Sequence, residues 1–361
     1  MLDALRPQPL PLRLGGFPFT ALASPLLAVL LTALFGALMF MVLGKDPAAG
    51  LGVFFWEPLR TLRGWTEIGV KCTPLILCAI GYAICYRASI MSIGAEGMLV
   101  AGAIAGGGMA LALDRGSGSG GALAILLVLL AGMAGGMLWA SITAFLKDRF
   151  HANEILVSLM LVYIAQLLLS YLVTGPWRDP KGFNFPQSRP FSDDFLLPQL
   201  IATTRLNLGF LLALAAVAIG WVYLSRSFGG FRLRVGGIAP QAARYAGFSE
   251  RGALWTALLI SGAAAGLAGV IEAIGPVGQL MPSMSPGYGF AAIIVAYVGR
   301  LHPVGILFSS FIMALFYIGG ELAQSRLGLP NAVTGVFQGM LLFFLLASDA
   351  LIAGLLRLRN K

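Results

Sequence analysis

Residues 121–173 read GALAILLVLLAGMAGGMLWASITAFLKDRFHANEILVSLMLVYIAQLLLSYLV. Two apolar runs, 121–146 and 155–173, flank a short polar break holding Lys147, Asp148, Arg149 and Glu154. A bilayer crossing takes about twenty apolar helical residues, so each run is long enough to span. Within the first run Gly132 and Gly136 form a small-xxx-small pair, as do Gly102/Gly106 and Gly262/Gly266 elsewhere. Such pairs let helix backbones approach closely. In a chain with 47 glycines some pairs arise by chance, so packing within one chain is expected before a dimer face.

Working outward, clean apolar runs also cover 21–43, 206–224 and 253–271, and shorter or less regular ones cover 72–86, 97–113, 288–299, 303–320 and 332–356. The expectation is an all-α polytopic membrane protein with about ten transmembrane helices. Composition agrees: 361 residues, 58% hydrophobic, 11% charged, mean hydropathy +0.87. A soluble domain of this length needs far more charged surface. Arg6 and Arg13 are the basic residues that precede the first run, which is too long for a signal-peptide core and reads as an uncleaved helix.

The net charge of +9 fits membrane topology and contact with anionic lipid. Nucleic acid is not expected, because the basic residues do not interleave with stacking aromatics. With the N-terminus cytoplasmic, that side collects Arg87, Lys147, Arg149 and Arg300, and Arg226, Arg232, Arg234, Arg244 and Arg251 in one loop. Arg357, Arg359 and Lys361 join them at the end. The expected arrangement is N-in/C-in: cytoplasmic tails at 1–20 and 357–361, a transmembrane domain at 21–356, an outer loop at 174–205 and a cytoplasmic loop at 225–252.

Two irregular segments carry information. Segment 72–86 is short with Pro74 near its start, and 288–299 is half a span preceded by Pro276, Pro282 and Pro286. Short or broken helices are tolerated where they are buried in protein or line a watery cavity. One falls in each half of the chain, the hydropathy pattern of inverted repeats.

An enzyme lacks its parts here: the sequence has no HExxH, no phosphate-cradling GxxxxGK[ST] and no G-x-S-x-G elbow. Cys72, Cys78 and Cys85 share one predicted helix, and His151 and His302 are isolated, so no metal set or disulfide framework is expected. Glu96, in Ile93-Gly94-Ala95-Glu96-Gly97, is expected at the cytoplasmic start of segment 97–113. There it has three possible roles: helix-dipole cap, bond to a neighbouring broken helix, or contact with solute. Glu272 and Glu321 are expected to be interfacial, at the outer ends of their helices. Tyr163, Gln166, Asn331 and Gln338 suit a neutral hydroxylated solute, or bond across helices.

In the loop 225–252, Pro240 suits the first position of a helix and Gly247 the left-handed position after its last turn. The two turns between them are marginal alone in water. They are expected to lie against lipid headgroups or in the groove of a soluble partner. The outer loop 174–205 is too long for a simple turn and reads as a flap over helix ends or as part of a docking surface.

These residues carry a resemblance. Arg-x-x-Gly-x-x-Pro-x-Ala-Ala-Arg-Tyr-x-Gly, at Arg234 to Gly247, resembles the coupling segment of ATP-binding-cassette importer permeases of the branched-chain amino acid and simple-sugar class. Ile93-Gly94-Ala95-Glu96-Gly97 resembles that class's N-I-G-x-E-G signature, and NEILVSLML at 153–161 with YLVTGPWRDPKGFNFPQ at 171–187 looks like its nucleoside-type subgroup. Ser92 and Ala239 depart from the usual Asn at those positions, and Val162 stands where Asn often precedes Tyr163. Losing that amide bears on which polar solute is handled.

The resemblance implies a type II importer permease with inverted repeats in the bacterial cytoplasmic (inner) membrane. Gly237, Pro240, Ala242, Ala243, Arg244 and Gly247 would contact a separate ATPase that binds ATP and Mg, this chain binding no cofactor itself. Arg244 alone reads equally as a positive-inside anchor. A second permease subunit, sister chain or self, and a periplasmic or lipid-anchored binding protein would complete the machine. The solute would be a nucleoside, purine first, or a simple sugar such as ribose. A stand-alone secondary carrier or channel is the reading from another class; it calls for an intramembrane charge where no carboxylate is expected mid-span, and it leaves the coupling-like loop unexplained.

Overall fold

The computed structural model describes residues 19–116, 121–183, 185–330 and 332–359. Its helices are α1 (Phe19–Val42), α2 (Pro47–Leu51), α3 (Leu62–Arg87), α4 (Ala95–Gly116), α5 (Ala122–Phe150), α6 (Glu154–Thr174) and α7 (Leu208–Arg226). They continue as α8 (Phe228–Ile238), α9 (Pro240–Tyr245), α10 (Glu250–Glu272), α11 (Tyr288–Val298), α12 (Pro303–Leu327) and α13 (Ala332–Arg359). Among the described residues nine helices are long and apolar enough to cross a membrane, and α11 is a shorter apolar helix. These ten occupy the ten expected places. The chain is a multi-pass membrane protein.

α3 departs from the short segment expected at 72–86. It runs for 26 residues from Leu62 and carries Pro74 inside it. Arg63, Glu67 and Lys71 interrupt the hydropathy of its first half. Two of these charges are met by the fold: Glu67 accepts from the Arg205 guanidinium at 2.6 and 2.9 Å, and Lys71 lies 3.2 Å from Glu321. Nearly all of α3 is buried, which makes it a central helix of the bundle. Charges survive in such a helix only when paired or facing water.

α3 and α10 lie side by side and antiparallel: Cys85 Sγ donates to the Ala257 carbonyl at 3.3 Å, and Gly81 packs on Ser261. Around them the packing repeats. α4 packs on α5 and α6 as α11 packs on α12 and α13, and α3 packs on α11 and α12 as α10 packs on α4 and α5. Exchanging α3–α6 with α10–α13 maps these contacts onto themselves, and the antiparallel central pair makes the repeat inverted. Residue identity does not reveal it.

Glycine sets the distance between three helices. A Cβ on Gly102 of α4 would meet Gly266 Cα at 2.3 Å, and one on Gly136 of α5 would meet the Gly262 carbonyl at 2.1 Å. A Cβ on Gly266 would meet the Gly132 carbonyl at 2.4 Å. The predicted glycine pairs therefore serve packing within the chain. α1 instead shows Leu26, Leu30, Leu34 and Leu38 outward at four-residue spacing, a stripe suited to lipid.

The loop 174–205 is an ordered flap. Ser188 N–H donates to the Leu280 carbonyl, Phe191 N–H to that of Gly278 and Leu197 N–H to that of Ile274, at 2.9 to 3.0 Å. Phe191, Phe195 and Leu197 are buried beneath it, while Phe183 and Phe185 stay exposed. The flap thereby holds the irregular stretch between α10 and α11.

Candidate functional site

α4 and α11 both begin inside the bundle. Between α3 and α4 the chain turns at Ser89, with φ +56°, and Ile90 and Ser92 are buried on the way back to Ala95. A Cβ on Gly94 would crowd Ser158, and one on Gly97 would crowd Val162 and Trp139. Val162 and Trp139 lie mid-way along α6 and α5. Glu96 therefore sits deep in the bundle, which corrects its expected place at a cytoplasmic helix end. Irregular backbone at this depth is sustained because protein surrounds it.

Glu96 is 1% exposed, and its Oε2 accepts the backbone N–H of Gly289 at 2.7 Å. That N–H is one of the first donors of α11, which have no partner inside their own helix. Gly289 permits the approach, since a Cβ there would lie 2.2 Å from Glu96 N. From the first turn of its own helix the carboxylate thus serves the N-terminus of α11, where negative charge is favoured. Of the three roles open from sequence, the bond to the broken helix is the one visible.

The surrounding polar residues were only partly legible. Tyr288 is fully buried, its ring edge-on to Tyr317 at 5.4 Å, and Lys71 Nζ lies over it at 5.6 Å from the centroid. Tyr317 in turn faces Gln338. Glu96 thus reaches the start of α11 directly, and Gln338 is linked to it through Tyr317. Glu272 is 5% exposed and feels the charge of Lys71, so it belongs to this interior cluster and not to the interface expected for it. Glu321 does reach the surface. Tyr288 and Lys71 were missed because a tyrosine after a proline-rich loop and a lone lysine carry no motif.

Tyr163 and Gln166 lie apart from this cluster, on the exposed flank of α6. With Ser170 and Thr174 they form a polar stripe at helical spacing. Val162 instead is 1% exposed and packs on Gly97, so the missing amide concerns the α4–α6 contact. Asn331 lies outside the described residues.

At the far end of α3, α8 and α9 form the segment read from 225–252. Ala239 precedes α9, Pro240 opens it and Gly247 follows it with φ +76°, as the sequence predicts. Gly237 faces inward: its carbonyl accepts from Ser89 Oγ at 2.9 Å, and a Cβ there would lie 2.3 Å from the Arg87 carbonyl. Ala243 is also buried, and Phe248 packs against Phe228 and Phe231 beside it. Pro240, Ala242, Arg244 and Gly247 are exposed. Arg244 makes a two-point pair with Glu250, 3.1 Å from Nε to Oε1 and 3.2 Å from Nη2 to Oε2. Tyr245 is 98% exposed, the most prominent side chain on the segment and one not singled out from sequence.

Over residues 64–346 the sequence matches the family described as branched-chain amino acid transport system / permease component. It is 35% identical to the glucose ABC transporter permease protein TsgB13 of Haloferax volcanii over 340 residues, 91% of this chain and 88% of that one. It is 31% identical to the guanosine ABC transporter permease protein NupP of Bacillus subtilis, over 93% of this chain and 96% of that one. With the nucleoside ABC transporter permease protein NupB of Lactococcus lactis it shares 26% identity over 89% of each.

Proposed function

The chain belongs to the branched-chain amino acid transport system permease family, a family of membrane-spanning transport subunits, and from that premise we propose that it forms the pathway of an ATP-driven importer for nucleosides, purine nucleosides first. The observation that carries the solute is the pair Tyr163 and Gln166 on the exposed flank of α6. An aromatic face can stack on a base and an amide can match its hydrogen-bonding edge. A glutamine on the outside of a membrane helix also calls for water or a second protein beside it. A second permease subunit, homologous or identical, supplies the other wall. The guanosine- and nucleoside-named relatives support this reading across nearly the whole chain.

ATP and Mg bind to a partner ATPase seated on α9, with Pro240, Ala242, Arg244 and Gly247 facing it and Gly237 and Ala243 holding the segment to the bundle. ATP-driven closure of that partner moves α9 and the helices behind it as rigid bodies. A periplasmic or lipid-anchored binding protein delivers solute at the flap 174–205. The membrane is the bacterial inner membrane, with both ends of the chain and the loop 225–252 in the cytoplasm, in keeping with the arginines gathered there. Lipid is the remaining partner.

A simple-sugar solute is the second reading, favoured by the glucose-named relative. Uptake of labelled guanosine, adenosine and ribose into proteoliposomes holding the complete transporter separates them. ATP-dependent nucleoside uptake is expected. Ribose uptake in its place would overturn the solute, and uptake driven by a proton gradient without ATP would overturn the class.

A further inference from the structure

Where α3 begins, the chain holds a cavity of about 690 Å³ whose walls are the first turn of α3, the turn before it, the last turns of α12 and Arg205. Three carboxylates line it, and each already has a cation. Glu57 is bonded to Arg326, Glu67 to Arg205 at 2.6 Å, and Glu321 to Lys71 at 3.2 Å. Arg60 and Arg63 also line it, both exposed, with no acidic partner among the described residues. With every acid neutralised, two guanidinium charges remain to set the potential of the cavity.

The same stretch is strongly apolar on its outside. Trp56, Leu62 and Trp65 are exposed by 66, 66 and 51% and alternate with the two arginines. α3 is one of the helices long enough to span, so its first turn stands where hydrocarbon gives way to headgroups. Tryptophan mixed with basic residues is the composition of that level.

We propose that this cavity is a binding site for the headgroup of an anionic phospholipid. Arg60 and Arg63 grip the phosphate, for which the guanidinium fork is the best-suited side chain. Trp56, Leu62 and Trp65 lie along the glycerol and upper acyl chain. An acidic side chain of a soluble partner or a free phosphate shares the phosphate-like chemistry, but neither accounts for three large apolar side chains left exposed beside the arginines. The bound lipid would bridge the start of α3 and the end of α12, one helix from each repeat.

The test uses the intact transporter, stripped of lipid in detergent and offered phosphatidylglycerol and phosphatidylcholine at equal concentration, with retained lipid counted by native mass spectrometry. Wild type is expected to retain phosphatidylglycerol preferentially. The double change Arg60→Ala/Arg63→Ala is expected to weaken retention roughly 30-fold, the worth of two lost guanidinium–phosphate contacts. Arg149→Ala, at the end of α5, should leave it unchanged. Arg60→Lys/Arg63→Lys keeps the charge, and should keep most of the retention if the alanine protein fails to fold. Retention by the alanine protein equal to wild type overturns the site. So does displacement of the lipid by millimolar glycerol phosphate, which would make a soluble phosphate the ligand. Unchanged lipid with weakened affinity for the binding protein would assign the arginines to that partner instead.

Discussion

The Glu96 carboxylate accepts the backbone N–H of Gly289 across 193 positions of sequence, at 2.7 Å, inside a chain that spans a membrane. The bond joins the first turn of α4 to the first turn of α11, the corresponding helix of the inverted repeat. Replacing Glu96 by Ala leaves a buried N–H donor without its acceptor, a loss of about 1–3 kcal/mol. Glu96→Gln keeps an acceptor oxygen and should lose less. Thermal unfolding of the purified transporter and solute uptake read both, and an alanine protein matching wild type in each would remove the bond from any functional role.

Gly266 stands between α4 and α5 with backbone on both sides. Gly266→Ala is expected to cost about 1–3 kcal/mol through overpacking that no side-chain rotation relieves. Gly339→Ala, with open space at its Cβ, should instead be neutral or stabilising by up to about 1 kcal/mol. Comparing folded yields and melting temperatures of the two proteins checks the assignment, which equal losses would contradict.

Tyr245 projects freely from α9, and Arg244 is already held by Glu250. Tyr245→Ala is therefore expected to weaken ATPase association by about 2 kcal/mol or more, the scale of an interface anchor. Arg244→Ala, which loses an exposed ion pair, should cost under about 1 kcal/mol. Arg244→Glu sets two acids side by side and should abolish both association and uptake while the protein stays in the membrane. Co-purification of the ATPase gives the ranking, and normal uptake by the glutamate variant would rule out coupling through this segment.

Tyr163 and Gln166 share the exposed flank of α6. Tyr163→Ala and Gln166→Leu should each raise the KM for nucleoside uptake roughly tenfold, the worth of one lost polar or stacking contact. ATPase association should not change. A uniform fall in uptake of every solute, with association lost as well, would mean that these residues hold the subunits together instead.

Much of this fold could be read from hydropathy alone, because each crossing must bury about the same length of apolar helix. The reading failed where a charge was paired at a distance. Lys71 and Glu67 hid the first turns of α3, since their partners Glu321 and Arg205 are far along the chain. Glu272 looked interfacial because its burial at the end of α10 is set by elements distant in sequence. Glu96 was placed at a helix start correctly and at the wrong depth, because nothing local to residues 88–94 says that they fold back inward. The α9 segment was legible to the residue: proline and glycine fix its ends through their own backbone limits. Its orientation was not, since which alanine turns inward depends on Phe248 and the end of α3.

α10 begins just after α9, at Glu250, and is tied to the end of α5 by Arg251 and Trp255 on Asp148, at 2.5 and 3.1 Å. From there its 23 residues reach about 34 Å, at 1.5 Å each, to the stretch that leads into α11. Side-chain contacts absorb small movements by changing rotamer, but the glycine crossings at 262 and 266 have no side chains to change. α10 is thus a stiff strut, locked by glycine against α4 and α5, between the α9 end of the bundle and the stretch that leads into α11.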